Sequence, residues 1–309
     1  MKNEKNNIKV TKASGAIKPF SIKKLRSSLT RAKATTYEID SIVEMLLPKL
    51  YQGISTQIIY SEAFRVLRHH SKDHATRYYL KKGIMDIGPS GFPFKTFIGE
   101  LFKYGGYTVQ VRKILQEKCV PHEIDVIAEK ENQLNLVEHK YRNQPGIAAD
   151  VKTPLYIHSK LEDVLTDDLL KYKEKTFKGW VITNSKFTSD AIVYGICKGL
   201  QLLSRDYPLS NSLKDWVDRI GMYPLTCPSS LTRSKKQWLL LKGYVLAKDI
   251  SNNRQLLLKA GVKIIRIKAV SDEGQNFYNL YQSIHCTGNN RDFYNRLSSL
   301  QQIENNNRK

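Results

Sequence analysis

The stretch from His122 to Arg142 reads HEIDVIAEKENQLNLVEHKYR. Its two halves alternate apolar and polar residues with the period of two that strands require. A turn centred on Glu131-Asn132 sets Asp125 directly opposite Glu138, with Cβ atoms roughly 5 Å apart, and puts Lys140 on the Glu138 face. Like charges so opposed are unfavourable unless something neutralises them. A divalent cation such as Mg2+ (or Mn2+) would do so, since it takes oxygen ligands and keeps several waters. Lys140, one step along the same face, would offset negative charge beside an attacking water. These residue types suit metal-assisted phosphodiester hydrolysis. Charged residues facing one another on a solvated sheet surface are the ordinary alternative, and a one-residue change of register would break the pairing.

Other polar residues lie nearby. His122 reads either as a general base or as a polar residue entering a strand. The His139 side chain alternates to the opposite face and is expected to pack. Thr183, Asn184 and Ser185 end an apolar run, where polar caps are ordinary and DNA contact is the alternative. Tyr104, Tyr107, Tyr141 and Tyr156 suit packing, or stacking on bases.

The elements that must position the pair fall into three regions: 1–88, 89–210 and 211–309. In the first, IKVTKASGAIKPFS (8–21) has two short runs around the Ser14-Gly15 turn signal. Ser21 then caps an amphipathic helix, and segments 38–51, 56–70 and 72–87 follow with helical periodicity. GPSGFP (88–93) reads as a linker. In the second, a helix at 93–104 precedes strands at 107–115, 122–130 and 134–142. A helix near 150–170, the buried strand GWVITN (179–184), a helix at 189–199 and a short strand LQLLSR complete it. This order gives an α/β sandwich around a mixed sheet. The third region is mostly helical, with Gly243 and Gly261 between helical segments and an Asn-rich end, ENNNRK, expected to fray. No internal repeat is legible.

Composition narrows the partners. The 309 residues carry 50 Lys+Arg against 29 Asp+Glu, a net charge of +21. Residues 1–88 hold +10 of it. Such a balance favours a polyanionic partner: DNA, RNA or an anionic membrane surface. No apolar run approaches the roughly 18 residues of a spanning helix. Cys119, Cys197, Cys227 and Cys286 are scattered without a CxxC, which argues against a structural zinc and fits a reducing cytoplasm. There is no GxxxxGK[ST], so a P-loop ATPase is not indicated.

Taken in order, FPFKTFIGELFKYGGYTVQV, HEIDV, VEHKYR and GWVITNSKFTSDA resemble the PD-(D/E)xK nucleases, most closely the Mrr-type restriction endonuclease branch. The resemblance covers about 90–205. It implies metal ligation by Asp125 and Glu138, with the carbonyl of His139 as a third ligand. It implies that Lys140 stabilises the transition state or positions water, and that Glu100 on the first helix is directed into the site. Ile124 stands where the family usually writes proline, and many Mrr-type members carry Gln where this chain has Glu138.

VTKASGAIKPFSIKKLRSSLTRA (10–32), with HATRYYLKK (74–82), resembles the ATP-cone, a nucleotide-sensing module. Val10, Lys12, Gly15, Phe20, Lys24, Leu25, Arg31 and Ala32 fall in its register. The resemblance implies ATP or dATP bound as a regulatory ligand and not hydrolysed, with Val10, Lys12 and Lys24 at the nucleotide. Ala13 stands where the family usually has Arg. The paired segments around Gly243 and Gly261 resemble helix-hairpin-helix modules.

The sequence therefore sets these expectations. The fold is a small α+β ATP-cone, a restriction-endonuclease-like α/β sandwich and a helical C-terminal region. The function is a cytoplasmic, Mg2+-dependent DNA endonuclease regulated by ATP or dATP, compatible with a homo-oligomer. The alternative is a nucleotide-sensing DNA-binding regulator whose nuclease fold does not cut.

Overall fold

The computed structural model describes residues 8–88, 90–115, 120–164, 175–209 and 211–285. The expected helix beyond 164 and the ENNNRK end lie outside them. The chain forms two compact units: Met1–Lys82 with Gln144–Ile147, and Gly83–Asn143 with Ala148–Lys309.

The first unit opens with an antiparallel hairpin of β1 (Lys9–Thr11) and β2 (Ile17–Pro19). Its turn is closed by Lys12 N–H on the Ala16 carbonyl at 2.9 Å, and Gly15 takes φ +80 there, a conformation open to glycine. Helices α1 (Ile22–Arg31), α2 (Thr36–Leu46), α3 (Thr56–His70) and α4 (Lys72–Met85) follow, with a 3₁₀ turn at Leu47–Lys49. Their starts are specified locally. Ser21 accepts from Lys24 N–H, and Thr35 and Glu38 form a reciprocal capping box. Glu38 also takes the ring of His74 at 2.8 Å, tying α2 to α4. Leu29, Ile42, Ala63 and Leu67 form the core, and Val10 joins them at 1% exposure.

The second unit is a mixed α/β structure around a five-stranded sheet in the order β3 (Thr108–Leu115), β4 (His122–Lys130), β5 (Gln133–Lys140), β6 (Thr176–Thr183), β7 (Gln201–Ser204). The first three strands are antiparallel neighbours, whereas β5, β6 and β7 run parallel. A two-residue turn joins β4 to β5, and Glu131 takes φ 48 in it. The parallel steps require crossovers, supplied by α6 (Lys152–Val164) and α7 (Ser189–Cys197).

The two sheet faces are covered differently. Leu134, Leu136, Val181 and Leu202 pack with Ile157 and Leu161 of α6 and Ala191 of α7. The opposite face meets α5 (Gly91–Tyr104): Phe94 lies against His139 and Tyr141, and Phe102 against Trp180. Helix α5 starts two residues before the sequence pattern places it. GPSGFP is thus partly helical, and its glycines are contact points: a Cβ on Gly88 would clash with the Tyr141 hydroxyl, and one on Gly91 with the His139 ring.

Helices α8 (Leu213–Ile220), α9 (Arg233–Leu241), α10 (Arg254–Lys259) and α11 (Ile264–His285) belong to this same unit, with a 3₁₀ turn at Ala247–Ile250. Trp216 of α8 packs edge-on against Trp180 and Phe102, which ties the helical region to the α5 face. The structure also uncovers a short repeat that the sequence pattern hides. Both α9 and α10 end in Leu-Leu-Leu-Lys and turn through a left-handed glycine, Gly243 (φ 86) or Gly261 (φ 73). Tyr244 N–H returns to Leu239 O, and Val262 N–H to Leu257 O, in the same five-residue closure. The repeat is obscured because Ala260 precedes only the second glycine.

Among the described residues no helix is long and apolar enough to cross a membrane.

Candidate functional site

The β4–β5 ladder runs from Lys130–Gln133 to Val126–Val137, the register in which Asp125 comes next opposite Glu138. The ladder stops there. Asp125 N–H instead donates to the Glu138 carboxylate at 3.3 Å. On its other side, the β3–β4 pairing passes from Val111–Val126 to Lys113–Ile124 and omits Arg112–Asp125. Arg112 sits there at φ 57, a left-handed conformation unusual for a side-chain-bearing residue. Asp125 thus occupies a break in both ladders. Such breaks cost hydrogen bonds and persist only where other contacts over-determine them.

Those contacts come from both faces of the sheet. From α5, Lys95 Nζ reaches Asp125 Oδ1 at 2.6 Å and Glu123 Oε1 at 3.0 Å. The other Asp125 oxygen takes the backbone N–H of His139 at 3.0 Å and hydrogen-bonds its ring Nδ1. Because a carboxylate can only accept, His139 carries its proton on Nδ1 in this arrangement. From α6, Lys160 Nζ donates to Glu138 Oε1 at 2.7 Å and to the Glu123 carbonyl at 2.5 Å. Arg112 adds a bond to Glu123 at 3.2 Å. One further pair ties β4 to α6: His122 Nε2 and Asp163 Oδ2 at 2.8 Å.

Asp125, Glu138, Lys95 and Lys160 are all buried, at 9%, 6%, 8% and 9% exposure. Burial makes each charge expensive unless it is paired. For Asp125 burial opposes ionisation, but the His139 and Lys95 contacts outweigh it and hold the carboxyl well below its ordinary range. Glu138 goes the other way. Burial, and then the Asp125 charge beside it, push its pKa up, and Lys160 offsets this only in part. Lys95 loses stability as a cation through burial, yet Asp125 and then Glu123 raise its pKa above the usual value. The pKa values of these two neighbouring carboxyls are therefore driven apart.

The residues singled out in the sequence are distributed as follows. Asp125, Glu138 and His139 meet at the strand break. Lys140 ends β5 exposed, and its carbonyl accepts from the Thr183 hydroxyl at 2.6 Å. The His139 side chain is a clamp on Asp125 as well as a packed ring. Glu100 is not brought to the pair: it bonds Lys103 at 2.6 Å and feels Lys248 and Asp249. The reason is helical phase, because Lys95 takes the site-facing position of α5. In the first unit Val10 is buried in the core, where its side chain anchors the hairpin. Lys12 lies at the hairpin turn and Lys24 is exposed on α1. Asn184 holds the end of β5 through Arg142, accepting from its N–H at 2.8 Å and donating to its carbonyl at 2.9 Å.

Lys95 and Lys160 are the functional-site residues that sequence reasoning missed. A signal existed. Lys95 stands among Phe94, Ile98 and Phe102, and Lys160 among Ile157, Leu161 and Val164, at spacings that assign both to buried helix stripes. A lysine in such a stripe needs a buried anion.

Aspartate and glutamate oxygens are the donors that Mg2+ or Mn2+ prefers, and such ions commonly use only one or two carboxylates. The donor chemistry of Asp125 and Glu138 fits. Among the described residues no group of three or more His, Cys, Asp or Glu is gathered as a metal cage.

Fold and site together define a mixed α/β protein with an acid pair at a sheet break. A family model described as "AF1548-like, C-terminal" matches residues 223–277. An uncharacterized protein of Archaeoglobus fulgidus is 26% identical over 179 residues, covering 58% of this chain and 98% of that protein. A solved structure, "Crystal Structure of Protein of Unknown Function AF1548", aligns with a TM-score of 0.50 and 24% identity over 60% of this chain and 97% of that one. That likeness concerns the fold alone.

Proposed function

We propose that the chain is a Mg2+-dependent (or Mn2+-dependent) DNA endonuclease acting in the cytoplasm. The observation that carries this reading is the double ladder break at Asp125, which leaves two buried carboxylates side by side between lysines from opposite faces. The order α5, β3, β4, β5, α6, β6, with Asp125 on β4 and Glu138-His139-Lys140 on β5, adds support through the PD-(D/E)xK resemblance. Asp125, Glu138 and the His139 carbonyl would hold the ion, which would polarise a phosphodiester and acidify water. The chain's own residues do the rest. His139 and Lys95 fix the orientation of Asp125. Lys160 holds Glu138 toward the break. Lys140, exposed at the end of β5, would meet a phosphate oxygen. The +21 charge would draw the polyanion in.

The hairpin-and-helices unit, with Lys12 and Lys24, supports a nucleotide-sensing role for ATP or dATP that alters assembly or cleavage. One observation favours a second reading, a DNA-binding regulator that does not cut: Lys95 and Lys160 already neutralise the two acids. Supercoiled plasmid separates the two. On the nuclease reading, nicking needs Mg2+ and is abolished by Asp125→Ala and by Lys140→Ala while DNA binding persists. No nicking by the unaltered chain with Mg2+ or Mn2+, with or without ATP, favours the regulator.

A further inference from the structure

The helical region that closes the second unit carries a one-sided charge distribution. Residues 228–271 hold ten Lys and Arg against one acid, Asp249. That acid is turned inward, accepting from Leu246 N–H at 3.0 Å. Arg233, Arg254, Lys259, Lys263, Arg266 and Lys268 are all exposed. None of the six forms a salt bridge with a described residue, and the Arg266 guanidinium donates to the Ser230 carbonyl at 3.0 Å.

Geometry gathers these charges. Arg266, together with Glu273 on the Ser229 and Ser230 N–H groups, holds the start of α11 beside the loop that leads into α9, where Arg233 stands. Helix α10 reaches α11 through the Gly261 turn, where no atom lies within 4 Å of a Cβ position. Lys259 and Lys263 stand two residues either side of Gly261, with Arg254 at the start of α10 and Lys268 in the second turn of α11. Such an excess of like charge is unfavourable, and a polyanion relieves it.

We infer that the α9–α11 region is a sequence-independent docking surface for the phosphate backbone of duplex DNA. The inference rests on the nuclease reading for its choice of polyanion. An anionic membrane fits less well. The apolar stripe of α11, Ile267, Val270 and Phe277, is already buried inside the protein, so the helix has no apolar face to lay in a bilayer. Leu241, Leu258, Ile264 and Ile265 stand outward beside the basic residues, scattered over three helices.

The experiment uses the full chain in EDTA, so that it does not depend on cleavage. Fluorescence anisotropy of two unrelated labelled duplexes is followed across salt concentrations for the unaltered protein and for a Lys259→Gln, Lys263→Gln, Lys268→Gln triple variant. Each lost phosphate contact lowers the salt slope by about one, so the triple variant should lose about 3 from the slope. It should bind both duplexes at least about tenfold more weakly. The matching Lys→Arg triple should bind like the unaltered chain, and circular dichroism should superimpose for all three. Unchanged affinity and slope in the Gln triple would overturn the inference. So would a loss confined to phosphatidylserine vesicles with duplex binding intact. Plasmid nicking, measured separately, reports on the nuclease reading, so the two can fail independently.

Discussion

Glu138→Gln should make the protein more stable at pH 8. In the folded chain burial and Asp125 push the Glu138 carboxyl up to about 7 from its ordinary 4.5. A folded carboxyl raised in this way binds its proton more tightly than the unfolded one does. Its contribution is therefore fully present below pH 4.5 and is lost as pH rises to about 7. At roughly 1.4 kcal/mol per pH unit, that interval costs about 3 kcal/mol of folding free energy once Glu138 is ionised. Glutamine never ionises, and its Oε1 can still accept from Lys160. The advantage of the variant should be near zero at pH 4 and approach about 3 kcal/mol by pH 8. Urea unfolding followed by tryptophan fluorescence reads this directly, because Trp180, Trp216 and Trp238 all lie in the second unit. A variant no more stable than the parent at pH 8, or an advantage that does not change with pH, would refute the reasoning.

Other expectations follow from single contacts. Asn135 is 1% exposed and accepts the Trp180 indole N–H at 2.9 Å. Asn135→Leu should cost about 1–3 kcal/mol by leaving that donor unpaired, seen as a lower urea midpoint. Lys95→Met should destabilise the second unit by about 2 kcal/mol, less than the 3–5 typical of a broken buried pair, because His139 still holds Asp125. Calorimetry with the full chain should show ATP or dATP binding without hydrolysis, weakened at least about tenfold by Lys12→Ala with Lys24→Ala. Undiminished affinity would remove those lysines from the nucleotide.

Much of the mixed sheet was legible because strand alternation and a two-residue turn leave little freedom. The hairpin register through Val126–Val137 follows from them. What lay beyond it was not legible. Alternation predicts that Asp125 and Glu138 share a face, but it cannot announce a break. The break depends on Arg112 at φ 57 and on Lys95, 30 residues before Asp125, and Lys160, 22 residues after Glu138. Glu100 drew attention as an acid on the first helix, yet helical phase gives the site to Lys95. Val10 fits the nucleotide-module register and is also buried in the core, a packing role its apolar side chain in a short strand already implies. The 88–93 segment has linker composition, although Gly88 and Gly91 serve close approach to Tyr141 and His139.

The proposed reason that Asp125 and Glu138 are kept together at a cost in stability is DNA cleavage. The most direct test is plasmid nicking at pH 8 with Mg2+ by the unaltered chain and by Glu138→Gln, each shown to be folded. Metal-dependent nicking is expected from the former and at least about a hundredfold less from the latter. Nicking by Glu138→Gln at the parent rate, or none by the parent with either Mg2+ or Mn2+, would contradict it.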